Sequence, residues 1–437
     1  MKFKRWSQSI LAATGLIGAS AGLVSCGTSN TVDYLYATSS RNNPGQINVY
    51  RVDSQSGALT QIPDSPYPTQ GRNPVSLVID SGGKNLYVAN RDDNSIVQFG
   101  IGTDAKLYGA HTINPSGSEP VSLSIHSYTA NNTTANFLFV VENLQPNFTD
   151  LNTGPGALYV YKLASDGTLG STPVTQMVNG TAQAFYPLGN TPTGVNVTDD
   201  GQHVYVTDIL ATGQTGTDVV ASGVNGTGCT AGQGAVQGFN LSQHDSNGVP
   251  TGVLTPAAGS PFCAGVTPSA IASHPYSTFL YVTDSAQNQV IEYSINTTTS
   301  PGSLRTLPQS VVATGTTPAG IVVEPRGMFV YVSNRIGGSV SGYAVNLGTG
   351  ALTTLATAGS AATQTQPICL IVEPALARFL YTANFVDGSI SGFSLDPNSG
   401  ALAATQGAFY GTAGLSTCVA ATSHGNHPII HVQNTAG

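Results

Sequence analysis

The chain has 437 residues, of which 51 are Gly and only 8% are charged, so uncharged polar side chains must keep it soluble. That balance excludes a helical bundle and a charge-rich disordered chain, and suits many short strands joined by tight turns. The 22 acidic residues against 14 basic ones exclude a nucleic-acid partner, because phosphate contacts need a basic footprint.

The first stretch is an export leader. Lys2, Lys4 and Arg5 form a basic start, and Ile10 to Val24 is apolar and rich in small residues. Leu23-Val24-Ser25-Cys26 then resembles a bacterial lipobox, with Cys26 as the lipidation site and mature N-terminus. The apolar run is short for a membrane span. Residues 1–26 are therefore read as a lipoprotein signal peptide, 27–33 as a tether and 34–437 as one domain. The expected location is the cell envelope, at the outer membrane or its periplasmic face, with the lipid as the sole membrane attachment. Without the leader, 11 of the 14 basic residues remain against 22 acidic ones, a formal charge of −11.

From Tyr34 onward one motif recurs. Asn85-Leu86-Tyr87-Val88-Ala89-Asn90 returns as Phe279–Asp284, Phe329–Asn334 and Phe379–Asn384, with looser copies at Tyr34–Thr38, Phe137–Val141 and His203–Asp208 and a degenerate one at 429–434. The central residues 36, 87, 139, 205, 281, 331, 381 and 431 are separated by 51, 52, 66, 76, 50, 50 and 50. A period near fifty identifies a repeat architecture. Each unit divides into four strands. The first follows Pro (Pro74, Pro120, Pro268, Pro318, Pro367) and mixes small with branched residues, as a crowded innermost strand requires. The second is the motif itself. The third ends on Tyr50, Phe99, Tyr161, Phe239, Tyr293, Tyr343 or Phe393, a position for packing between sheets. The fourth follows Gly-Ala-Leu turns at 57–59, 350–352 and 400–402 and is irregular, as an outer edge should be.

Four antiparallel strands repeated radially make an all-β propeller, here of seven blades. The chain begins at a second strand, so residues 415–422 are expected to supply the inner strand of that first blade and close the ring. Residues 423–437 are left as an extra strand or tail. Two loops are swollen, 144–156 and 209–233, and both should project from one face. Cys229 with Cys263, and Cys369 with Cys418, are the favoured disulfides. The second pair is open to the objection that matching positions on neighbouring blades can stand too far apart to bridge.

The Leu-Tyr-Val-x-Asn strand, the Pro-led strand and the Gly-Ala-Leu turn resemble the lactonase-type seven-bladed propellers, which include 6-phosphogluconolactonase-like proteins and carboxymuconate cycloisomerases. The tandem copies also resemble YVTN-type repeats. The resemblance spans residues 34 to about 422. It implies a His, an Arg-His pair and a Glu around the channel mouth; by register these positions are Thr193, Ser269-Ala270 and Ser285 here, and none matches. Thr and Ser do not replace imidazole or guanidinium in polarising a lactone carbonyl.

What remains as candidate ligand-binding residues are Arg72, Arg91, Glu119, Asp208, Asp284 and Arg335, most in loops of one face, where guanidiniums offer a planar donor fork. The competing expectation is that the arginines are turn residues paired with nearby Asp. The polar residues ending the inner strands, Asp80, His126, Thr198, His274, Glu324, Glu373 and Thr422, read as turn caps. His424, His427 and His431 match no metal motif, and no metal or cofactor is expected. Two readings of function stand: a monomeric, lipid-anchored module binding a small anionic or sugar-derived ligand or an envelope component, and a divergent lactonase acting on a sugar lactone at the channel mouth.

Overall fold

A computed structural model of the chain describes residues 30–130, 133–149, 151–217, 228–241, 244–246, 248–356 and 359–425. The leader, Cys26, His427, His431, the 429–434 copy and part of the 209–233 loop lie outside them.

The described strands form seven antiparallel blades. In order from the channel outward, the second blade is Pro74–Ile79, Asn85–Asn90, Ser95–Ile101 and Leu107–Ile113. The third begins at Ser118, the fourth at Asn190, the fifth at Pro268, the sixth at Pro318 and the seventh at Pro367. The first blade is assembled from both ends of the domain. Thr31–Ser39 pairs on one side with Gln46–Asp53 and on the other with Ser416–Ser423, in a register that sets Tyr34 opposite Thr422 and Tyr36 opposite Ala420. The expected closure is thus present.

The aromatics ending the third strands are all buried. So is every central residue of the described second strands. The hydroxyl of each central tyrosine crosses to the next blade and donates to a carbonyl in the turn between its third and fourth strands: Tyr36 to Ala105, Tyr87 to Gly167, Tyr205 to Gly302, Tyr281 to Gly350, Tyr331 to Gly400 and Tyr381 to Gly57. Burying such a ring contributes roughly 2 kcal/mol, and its hydroxyl would cost about as much if left unpaired. Gly350 shows why the turn wants glycine: its φ is +80°, and an added Cβ would strike the ring of Phe279 on the preceding blade. Phe139, in the third blade, has no hydroxyl to make this contact.

Both favoured disulfides are formed. Cys369 and Cys418 do occupy matching positions on neighbouring blades, yet their Cα atoms are 5.0 Å apart, because inner strands converge at the axis. This bridge ties the closing strand to the seventh blade. Cys229–Cys263 staples the 209–233 loop at its base.

Three features depart from the expected unit. The first hairpin of the third blade runs long, over Ser118–Ala130 and Thr133–Leu144, since its sequence lacks the Gly-containing tight turn of the other copies. The same blade carries an extra hairpin, Gln176–Val178 with Thr181–Gln183. The outer strands of the first, fourth and sixth blades are split in two, for example Leu352–Thr354 and Ser360–Ala362.

Candidate functional site

The loops entering the inner strands and the loops leaving the second strands share one face. Every inner strand has a register break near its start, between Pro74 and Ser76 in the second blade and at the equivalent place in the others. Such a bulge re-aims one side chain. The residues at the break are Val75, Val121, Thr193, Ser269, Ala319, Ile368 and Thr417, most of them half-buried. The hydroxyl of Thr193 donates to the carbonyl of Pro268 at 2.9 Å, and that of Ser269 to Pro318 at 2.7 Å, each the first residue of the next inner strand. This ring, at the mouth of the channel, carries no imidazole, guanidinium or carboxylate. Ala270 is buried, and Ser285 donates to Thr267 at 3.1 Å. The positions that family register would assign to catalysis are thus structural or neutral.

The charged candidates fall into three places. Arg72, Arg91 and Glu119 meet in a cleft between the second and third blades, of about 480 Å³, lined also by Asp92, Asn94, Ser118 and Thr149. Arg72 is engaged: its Nε donates to Asp93 Oδ1 at 2.7 Å and its backbone N–H to Asp93 Oδ2 at 2.7 Å. The Arg72 side chain in turn holds the Asp93 carboxyl below the usual carboxylate range. Arg91 is held loosely, 3.5 Å from Asp92 and 3.8 Å from Glu119, with 43% of its side chain exposed. Glu119 is fixed from below, accepting from Asn143 at 2.7 Å, while its own N–H donates to Asn94.

Asp208 and Asp284 do not join this cleft. Both are fully buried at the ends of second strands, in the slot held by Asn90, Asn334 and Asn384 elsewhere. Asp284 accepts from the backbone N–H groups of Val266, Thr267 and Ala286. Asp208 accepts from Gly189 at 2.6 Å and Gln237 at 3.0 Å, and burial pushes it up to about 7. Arg335 lies far around the ring, in a second cleft of about 300 Å³ with Ile336 and Thr363 to Gln366, its Nε donating to Gln366. Five of the expected caps behave as such: Asp80 accepts from Lys84, Thr198 from His203, His274 from Tyr276, Glu324 from Met328 and Glu373 from Arg378. His126 and Thr422 do not: His126 lies within the long strand Ser118–Ala130, opposite Phe137, because this hairpin lacks the tight turn, and Thr422 lies within the closing strand, opposite Tyr34. His424 packs edge-on against Tyr34. Among the described residues no cluster of three or more His, Cys, Asp or Glu could hold a metal ion.

Sequence reasoning missed Glu142. It occupies the same slot as Asp208, one blade earlier, and is fully buried. Neither of its oxygens accepts a hydrogen bond of good geometry, although the Gly117 amide stands close enough to offset part of the burial that pushes it up to about 8. Aligning the seven second strands and looking for a carboxylate where Asn belongs would have found it.

A family model described as the lactonase seven-bladed β-propeller matches residues 24–180 and 227–421. The chain belongs to this family. Its fold is shared by a candidate 6-phosphogluconolactonase from Bacteroides fragilis, with TM-score 0.65, 18% identity, and coverage of 91% of this chain and 99% of that one. A periplasmic gluconolactonase from Pseudomonas aeruginosa also has TM-score 0.65, at 17% identity over 90% of this lactonase-family chain and 100% of its own. A Lactobacillus plantarum protein follows at TM-score 0.59 and 18% identity, covering 90% and 99%. A search of curated proteins finds no match.

Proposed function

We propose that this lactonase-family propeller is an exported binding module and does not open lactones. The observation that carries the reading is the mouth ring of Val75, Val121, Thr193, Ser269, Ala319, Ile368 and Thr417. Lactone hydrolysis needs a group to polarise the carbonyl and a base to activate water, and this ring supplies neither. The charged groups that do converge stand off the axis, between the second and third blades, and are partly consumed by pairing with each other. Export is supported by the leader ending at Cys26 and by two disulfides, which persist in oxidising compartments. Cys26 is read as the lipid anchor that holds the ring at the envelope.

The test is a pH-stat assay of the purified chain against a panel of sugar lactones, including gluconolactone and its 6-phosphate. Hydrolysis no faster than buffer is expected. Turnover above buffer that disappears on heat denaturation would replace the binding reading with that of a divergent lactonase.

A further inference from the structure

We propose that the cleft between the second and third blades binds a neutral, hydroxyl-rich ligand, a saccharide, through Arg91, Ser118, Glu119 and Thr149. The proposal rests on the reading of the chain as a binding propeller and gives that module a site and a ligand class.

The lining excludes the other classes. Around the cleft two guanidiniums face three carboxylates, Asp92, Asp93 and Glu119, and Arg72 is already taken by Asp93. A phosphate or sugar acid would therefore enter a site with surplus negative charge. A metal ion would be repelled by Arg72 and Arg91. An apolar ligand would find no apolar side chain among the lining residues. A hydroxyl both donates and accepts, so it alone matches a surface that alternates donors with acceptors.

The second observation is that hydrogen-bonding capacity is left open here. Arg91 Nε and Ser118 Oγ are buried and make no hydrogen bond. A fold rarely leaves buried polar atoms unmet, and each such group asks for an explanation. Arg91 stands 3.5 and 3.8 Å from its two carboxylates, too far for good hydrogen bonds. A ligand hydroxyl seated beside it can complete those contacts. The walls are already set: Asn94 and Glu119 hold positive φ values of 50° and 58°, joined by the hydrogen bond from the Glu119 N–H to Asn94. A space of about 480 Å³ is of the size that small-molecule sites have.

Calorimetric titration of the full chain with glucose, N-acetylglucosamine and their β-linked dimers, beside gluconate and inorganic phosphate, tests the assignment. At least one neutral saccharide is expected to bind saturably and about tenfold or more tighter than either charged probe. Arg91→Gln and Glu119→Gln should each weaken it about tenfold, while Lys162→Ala, on an exposed strand position, should not. Ser118→Ala removes only a small hydroxyl and replaces either variant if that variant loses its melting transition. The proposal is overturned if no neutral saccharide binds, if gluconate or phosphate binds as tightly, or if the folded variants bind like the parent. Lactone turnover in the pH-stat strikes the binding-module reading instead, so the two failures are told apart.

Discussion

The fifth to seventh blades and the third and fourth blades are built from the same unit and use it differently. In the regular set the units follow at fifty residues, Tyr281, Tyr331 and Tyr381 each clip the next blade, and the slot ending the second strand in the sixth and seventh blades is a neutral Asn. In the irregular set the clip is missing at Phe139, and the slot holds Glu142 and Asp208. The loop after each of these carboxylates is swollen. The copies agree where the ring must hold together and diverge where only local structure depends on them. A buried carboxylate, Asp284, also fills the slot in the fifth blade, so what the divergent pair adds is the swollen loop that follows it.

The largest expected effect separates the two disulfides. Cys369→Ser with Cys418→Ser removes a link of sequence separation 49 at the ring closure, for which loop entropy predicts a cost of about 4 kcal/mol. Urea unfolding of the full chain should show the whole transition moving. Cys229→Ser with Cys263→Ser opens a link of separation 34, to which loop entropy alone gives nearly the same cost. Because this link staples a peripheral loop and not the ring, the loss should appear as local opening, exposing 209–233 to proteolysis while the main transition moves less. Equal shifts from both pairs would break the comparison.

The second effect is a pH dependence. Burial raises Asp33 to about 10, with the Glu373 carboxylate adding to it, and raises Glu142 to about 8 and Asp208 and Glu292 to about 7. All four folded values lie above the ordinary carboxyl range, so the folded state holds more protons than the unfolded one between about pH 4 and those values. The stability they confer is complete below about pH 4 and is lost as pH rises through 7 and 8, and for Asp33 up to about 10. The melting temperature should therefore be higher at pH 5 than at pH 8. Glu142→Gln together with Asp208→Asn should shrink that difference but not abolish it, because two raised carboxyls are removed from the irregular blades while Asp33 and Glu292 keep theirs. A melting temperature that climbs from pH 5 to 8 would contradict the assignment.

The smallest effect tests the clip. Tyr331→Phe should cost about 1 kcal/mol by leaving the Gly400 carbonyl unpaired, with no loss of packing. Unchanged unfolding would show that the tyrosine acts through its ring alone.

The fold was legible because its signals are local and repeated. Pro74, the Leu-Tyr-Val strand and the Gly-Ala-Leu turns each state a backbone preference, and seven copies average out the exceptions. Even the closure followed from a missing inner strand at Tyr34 and a spare one at Ser416. The site was less legible. Arg72, Arg91 and Glu119 were found because charge is scarce and their loops share a face, and the structure brings these three together. Asp208 and Asp284 were drawn from the same reasoning, but burial and backbone amides hold them elsewhere. Glu142 was overlooked because Val140-Val141-Glu142 reads as a strand end, and nothing local says that its carboxylate goes in. Burial of that kind is a property of the neighbouring blade, as the long hairpin at Ser118–Leu144 is a property of an absent turn.

The ring closure also gives the propeller two unlike ends. Thr31 enters the first blade beside Ser423, at the end where the tight turns lie, and the loops bearing Arg91 and Arg335 open at the other end. A partner that docks on the turn end therefore leaves both clefts open, and a ligand that enters a cleft meets the propeller at the end away from Thr31.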